Sequence, residues 1–183
     1  MAIQHILWVF DLAGQNTDYK TRTESKKRLD LLFLSNCNNG IESARSEWVG
    51  SATIIAPHEF DAVVFLIPNV GQSLINKVGV DVSVVKADIT ALGYTATGMP
   101  GGGVSEVYWD RCLNSQEVAS SIFHEAAHLK SENGKMHDKP RMRVLSVKGA
   151  TYDYPSWEDL EFYEAAIKRR ITLRTKVPSQ IIP

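Results

Sequence analysis

Apolar positions along this chain recur at two spacings, one that suits strands and one that suits helices. Ile6 to Phe10 form a short unbroken run that reads as a first strand. Residues 18–34 start polar and finish with Leu29, Leu31, Leu32 and Phe33, which predicts an amphipathic helix stopped near residues 36–40. Residues 48–56 and 62–67 are rich in β-branched side chains and bounded by Gly or Pro, as strands are. A short helix is expected over 70–77. Residues 80–85 alternate Val with Asp and Ser, the pattern of a half-buried strand.

Further along, residues 93–110 combine a glycine-rich turn with a strand from about Val104 to Trp109. The three glycines 101–103 are no phosphate loop, because the Lys and the Ser or Thr of that motif are missing. The best-marked helix follows. Asn114 is a natural N-cap with Glu117 three residues on, and Val118, Ile122 and Ala126 recur on one face. Gly134 offers a left-handed stop, and a last helix is expected from Ser156, with Asp159 in its first turn, to about Arg170. The order strand, helix, several strands, helix, helix predicts an α+β fold with a mixed sheet. With no internal repeat, low-complexity tract or linker, residues 1–183 read as a single domain.

Composition narrows the function. The 183 residues carry 20 Lys+Arg against 21 Asp+Glu, a net charge of −1. Such a chain lacks the cationic field of a general nucleic-acid binder, and its basic stretches 20–28 and 168–176 read as solvated helix faces. Two cysteines, Cys37 and Cys112, fit reduced thiols in a protein made in the cytosol. The N-terminus carries no basic leader and no small-residue cleavage signature, and no apolar run approaches the ~20 residues that span a bilayer. The expectation is a protein without signal peptide or membrane partner, cytoplasmic as made and exported, if at all, by a signal-peptide-independent route.

Within the best-marked helix lies His124-Glu125-Ala126-Ala127-His128. Histidines four apart on a helix share one face and can reach a single metal ion, while the glutamate between them can touch a metal-bound water without being a ligand. With 5 His and 11 Glu in the chain, independent placement yields roughly 0.008 such matches per chain, so chance explains it poorly. His137 follows nine positions after His128 and three after Gly134. A catalytic zinc takes three protein ligands and keeps a fourth position open, so the chain must reverse after the helix to deliver the third. His137 is the leading candidate. Asp138 and the glutamates Glu158, Glu161 and Glu164 of the last helix are its rivals. Cys112 lies on the order of 15 Å from the metal if residues 115–124 are helical, and reads as a structural thiol. His5 and His58 have no ligand partner at useful spacing, and Tyr152 and Tyr154 read as a packed loop.

This segment resembles the active-site stretch of zincin metallopeptidases, especially the metzincins, which read HExxHxxGxxH. The resemblance implies one Zn2+ per chain, with His124 and His128 as helical ligands, Glu125 as general base, Gly134 as turn glycine and His137 as third ligand. The chain departs from that pattern by three extra residues between His128 and Gly134. Met142 is a candidate for the methionine turn beneath the metal, though its surroundings do not resemble the usual turn. Residues 93–145 also resemble small zinc-peptidase domains of bacterial secreted toxins and effectors. In zincins an edge strand upstream of the active-site helix is a rail for an extended substrate, and Gly103, Val104 and Ser105 occupy the matching place. The implied fold is a zincin-like domain, a mixed twisted sheet with an edge strand beside the HExxH helix. The implied activity is hydrolysis of a protein or peptide substrate, endopeptidase rather than exopeptidase. The alternative is a zincin-like binding or regulatory module whose zinc only stabilises the fold. An inhibitor or carrier protein stays open as a partner.

Overall fold

Six consecutive apolar residues, Ala62–Ile67, can be buried only where both faces of a strand are covered, and they form β3 in the middle of a five-stranded sheet. The computed structural model describes residues 2–14, 18–34, 40–53, 55–97, 103–131 and Ile167. β1 (Ile3–Asp11) runs parallel to both β2 (Ile41–Gly50) and β3, and β5 (Val104–Tyr108) continues the parallel set on the far side of β3. Among the described strands only β4 (Gly93–Ala96) runs antiparallel, along β5. Among the described residues the order β2-β1-β3-β5-β4 leaves β2 and β4 at the two edges. The fold is α+β with a mixed sheet.

Strand periodicity sends alternate side chains to opposite faces. Leu7 and Val9 of β1, Val64 and Leu66 of β3 and Val107 of β5 share one core with two helices, α1 (Tyr19–Leu34) and α4 (Ser115–Ser131). These helices contribute Leu29, Leu32 and Phe33, and Val118, Ile122, Phe123 and Ala126. Phe10, Val63, Phe65 and Ile67 face the other way, onto the short helices α2 (Leu74–Lys77) and α3 (Ser83–Ala87), which supply Leu74, Ile75 and Val85. A buried carboxylate ties that second layer to the sheet. Glu106 of β5 accepts the backbone N–H groups of Leu74 and Ile75 at 2.9 and 3.2 Å and the hydroxyls of Ser73 and Tyr108. Burial and the Glu106 charge push the Tyr108 phenol upward, so it stays a donor.

Three elements differ from the sequence-based expectation. The strand expected at 48–56 begins at Ile41 and ends at Gly50, because Gly40 turns the chain into it with φ +96° and its outer edge tolerates Glu42, Arg45 and Glu47. The strand expected at 80–85 is instead α3. The Asp81 carboxylate accepts both the N–H and the hydroxyl of Ser83, a local bond that starts a helix despite the alternating valines. β4 was not expected as a strand of its own. By contrast α4 starts as the cap residues predict, with the Glu117 N–H donating to Asn114 at 3.0 Å and the Glu117 carboxylate accepting from the Leu113 N–H. Of the expected last helix only Ile167 is described, helical and buried in the same core as α4. Among the described residues no helix is long and apolar enough to cross a membrane.

Candidate metal centre and catalytic carboxylate

α4 buries Val118, Ile122 and Ala126 along one stripe, and the adjoining stripe carries His124, Glu125 and His128. One helical turn apart, the two imidazoles meet edge to face, with ring centroids 4.6 Å apart and planes at 81°. Their Nε2 atoms are 3.0 Å apart. Ring nitrogens this close require one to donate to the other, or a cation to share between them. Two nitrogens each ~2.0–2.1 Å from a tetrahedral zinc would lie about 3.3–3.4 Å apart, so the donor pair fits the metal to within a few tenths of an ångström. His124 is buried and His128 half-buried.

Glu125 is also buried, at 4% exposure, and its carboxylate is held by β4. Thr95 Oγ1 donates to Glu125 Oε2 at 2.6 Å and lies 2.8 Å from Ser105 Oγ. Two residues earlier, and so on the same face of β4, Gly93 makes room for the glutamate. A Cβ there would stand 2.8 Å from Glu125 Cγ, 3.0 Å from Oε1 and 2.8 Å from the Glu106 carbonyl oxygen. Burial raises the Glu125 carboxyl to about 8, against the pull of the Thr95 hydrogen bond, and the Glu106 charge adds to the rise.

These groups line a cleft of about 410 Å³ between α4, β4 and the segment from α3 to Ala91. Its opposite wall is largely apolar, with Val84, Val85, Ala91 and Tyr94. Arg111, itself buried, fixes that wall by donating from one guanidinium nitrogen to the carbonyls of Val85, Asp88 and Ala91 at 2.8–3.0 Å while its guanidinium lies over the Tyr108 ring.

Of the residues singled out from the sequence, the structure brings His124, Glu125 and His128 together. His137 and its rivals Asp138, Glu158, Glu161 and Glu164 lie outside the described residues, as do Gly134, Met142, Tyr152 and Tyr154. Among the described residues no group of three or more His, Cys, Asp or Glu side chains could hold a metal ion. The rail assigned to Gly103, Val104 and Ser105 needs correction. β5 is an interior strand, with Ser105 paired to Val64 on one side and Thr95 on the other, and Val104 paired to Ala96, so it does not offer the free edge that a rail requires. Gly103 is packed against Leu129 and the Ala96 carbonyl. Among the described residues the edge strand beside the HExxH helix is β4. Cys112 precedes the N-terminal end of α4 and packs against the core, away from the histidines. His5 is buried, its Nδ1–H donating to the Phe60 carbonyl at 2.7 Å. Thr95, Gly93 and Arg111 escaped sequence reasoning, since none belongs to a motif and each acts through residues distant in the chain. Comparison of the chain with protein-family models, curated proteins and solved structures found no match.

Proposed function

We propose that this chain is a zinc-dependent peptidase acting on an extended protein or peptide segment. The observation that carries the reading is the convergence of the His124 and His128 Nε2 atoms, 3.0 Å apart, beside a buried glutamate in the wall of an open cleft. Zinc, when bound, supplies Lewis acidity toward the scissile carbonyl and lowers the pKa of a coordinated water to about 7. His124 and His128 supply two of its ligands, and the third comes from the chain after α4, with His137 first among the candidates. Glu125 takes a proton from the attacking water and delivers one to the departing amine. The outer edge of β4, which has no neighbouring strand among the described residues, suits a substrate that pairs through its main chain, leaving the apolar wall of the cleft to select side chains.

The test is Glu125→Gln in purified protein, with zinc measured by elemental mass spectrometry and turnover followed on casein. The expected result is zinc near one per chain in both proteins, with hydrolysis abolished in the variant and in chelator-treated wild type. Hydrolysis surviving the substitution removes Glu125 from its role. Zinc uptake with no hydrolysis by wild type replaces the enzyme with the binding-module reading.

A further inference from the structure

Glu125 reaches from a helix by three rotatable bonds, and a glutamate side chain left to itself spreads over many rotamers. A base that must meet one proton in one place needs that spread removed. Among the described residues the carboxylate has a single hydrogen-bond donor, Thr95 Oγ1 at 2.6 Å. Threonine suits the task because its β-branched side chain is stiff about χ1. Its backbone is fixed as well, by the Thr95↔Ser105 pairing of β4 with β5.

Proton counting gives the hydroxyls a direction. Each hydroxyl has one proton to donate. With the carboxylate in the ionised form a base requires, the 2.6 Å contact to Oε2 claims that of Thr95, so the 2.8 Å contact with Ser105 Oγ has Ser105 as donor. The 3.2 Å approaches of both hydroxyls to the Glu125 backbone oxygen are then secondary. Ser105 of the interior strand thus polarises Thr95 of the edge strand, and Thr95 holds one oxygen of the glutamate. The other oxygen, Oε1, lies above Gly93, where a Cβ would stand 3.0 Å away.

We propose that Thr95 is a positioning residue for the Glu125 carboxylate, with Ser105 behind it, so that the strand lining the substrate cleft also aims the base. The proposal rests on the peptidase reading, and its test separates the two. Thr95→Val removes the hydroxyl at nearly constant shape, Thr95→Ala does so without adding a methyl against the carboxylate, and Thr95→Ser restores it. In crystal structures of the variants, the Glu125 carboxylate is expected to leave its place in the Val and Ala proteins and keep it in the Ser protein. In the zinc-loaded proteins, kcat on a peptide substrate is expected to fall about 10- to 100-fold in the Val and Ala variants with KM within about twofold, and to recover in Thr95→Ser. A Glu125 carboxylate that keeps its place without the hydroxyl, or a kcat that Thr95→Val and Thr95→Ala leave unchanged, overturns the proposal. Wild-type protein that binds zinc and cleaves nothing retires the peptidase reading and leaves the crystal structures to decide positioning: Glu125 held only where a hydroxyl is present upholds it, and Glu125 held in every variant overturns it.

Discussion

Replacing Gly93 by Ala strains a place where the edge strand, the interior strand and the candidate base approach each other. The new methyl would stand 2.8 Å from the Glu106 carbonyl oxygen and 2.8 Å from Glu125 Cγ, where unstrained carbon contacts lie at about 3.5–4.0 Å. The Glu106 oxygen belongs to the backbone of a strand paired on both sides, so it cannot give way cheaply. Either Glu125 swings off its seat or β4 separates from β5. Overpacking of this kind costs about 1–3 kcal/mol, and the reduced freedom of the unfolded chain returns about 0.4–1 kcal/mol. The net expectation is a destabilisation of about 1–2 kcal/mol, which lowers the melting temperature of a chain this size by about 2–8 °C. Gly50 supplies the control, since a Cβ there meets nothing within 4 Å and its φ is not in the left-handed region. Gly50→Ala is expected to be neutral or slightly stabilising. Urea unfolding followed by far-UV circular dichroism, with equal m-values in the three proteins, measures the difference. If Gly93→Ala proves as stable as Gly50→Ala, the close approach of β4 to Glu125 is refuted, and with it the cradle around the carboxylate.

Two further measurements probe the surroundings. Glu106→Leu leaves two backbone N–H groups and two hydroxyls without their buried acceptor, and should cost about 3–5 kcal/mol in the same unfolding assay; a loss under about 1 kcal/mol would show that α2 is not anchored through this side chain. His5 is held neutral, because burial lowers it from 6.5 to about 4 despite the hydrogen bond to Phe60. Its folded value lies below its unfolded one, so above pH 6.5 both states are neutral and nothing is lost, whereas stability declines as pH falls from 6.5 to 4. The full loss is about 3 kcal/mol. Unfolding free energies measured from pH 7 to pH 4 in wild type and His5→Gln should differ in slope, and identical pH dependences would remove His5 as the cause.

Where the information was local, the chain could be read directly. β3 spans the six residues its apolar run marks, and the cap bonds of Asn114 and Glu117 set the start of α4. The meeting of His124 and His128 follows from helical geometry alone. What resisted reading depended on partners far along the chain. Ser46 sits among charged residues ahead of the expected strand, yet β1 pairs with it and α1 bonds its N–H and carbonyl through Asp30 and Lys26. β4 presents Gly93 and Thr95 to the helix, small and polar residues that leave no hydrophobic period. No local feature of Val104 or Ser105 says that strands lie on both sides, so the sequence alone places the rail on the neighbour of the strand that forms the edge among the described residues.

The two margins of the sheet are finished differently. On β2, the Lys26 ammonium and the Asp30 carboxylate occupy the Ser46 main-chain groups at 2.8 Å each, blocking any incoming ladder at mid-strand. A sheet able to recruit strands on both sides could join copy to copy without end, head to tail, as fibres do. Among the described residues only the β4 flank lacks a neighbouring strand, so a strand added there would close the series after one addition.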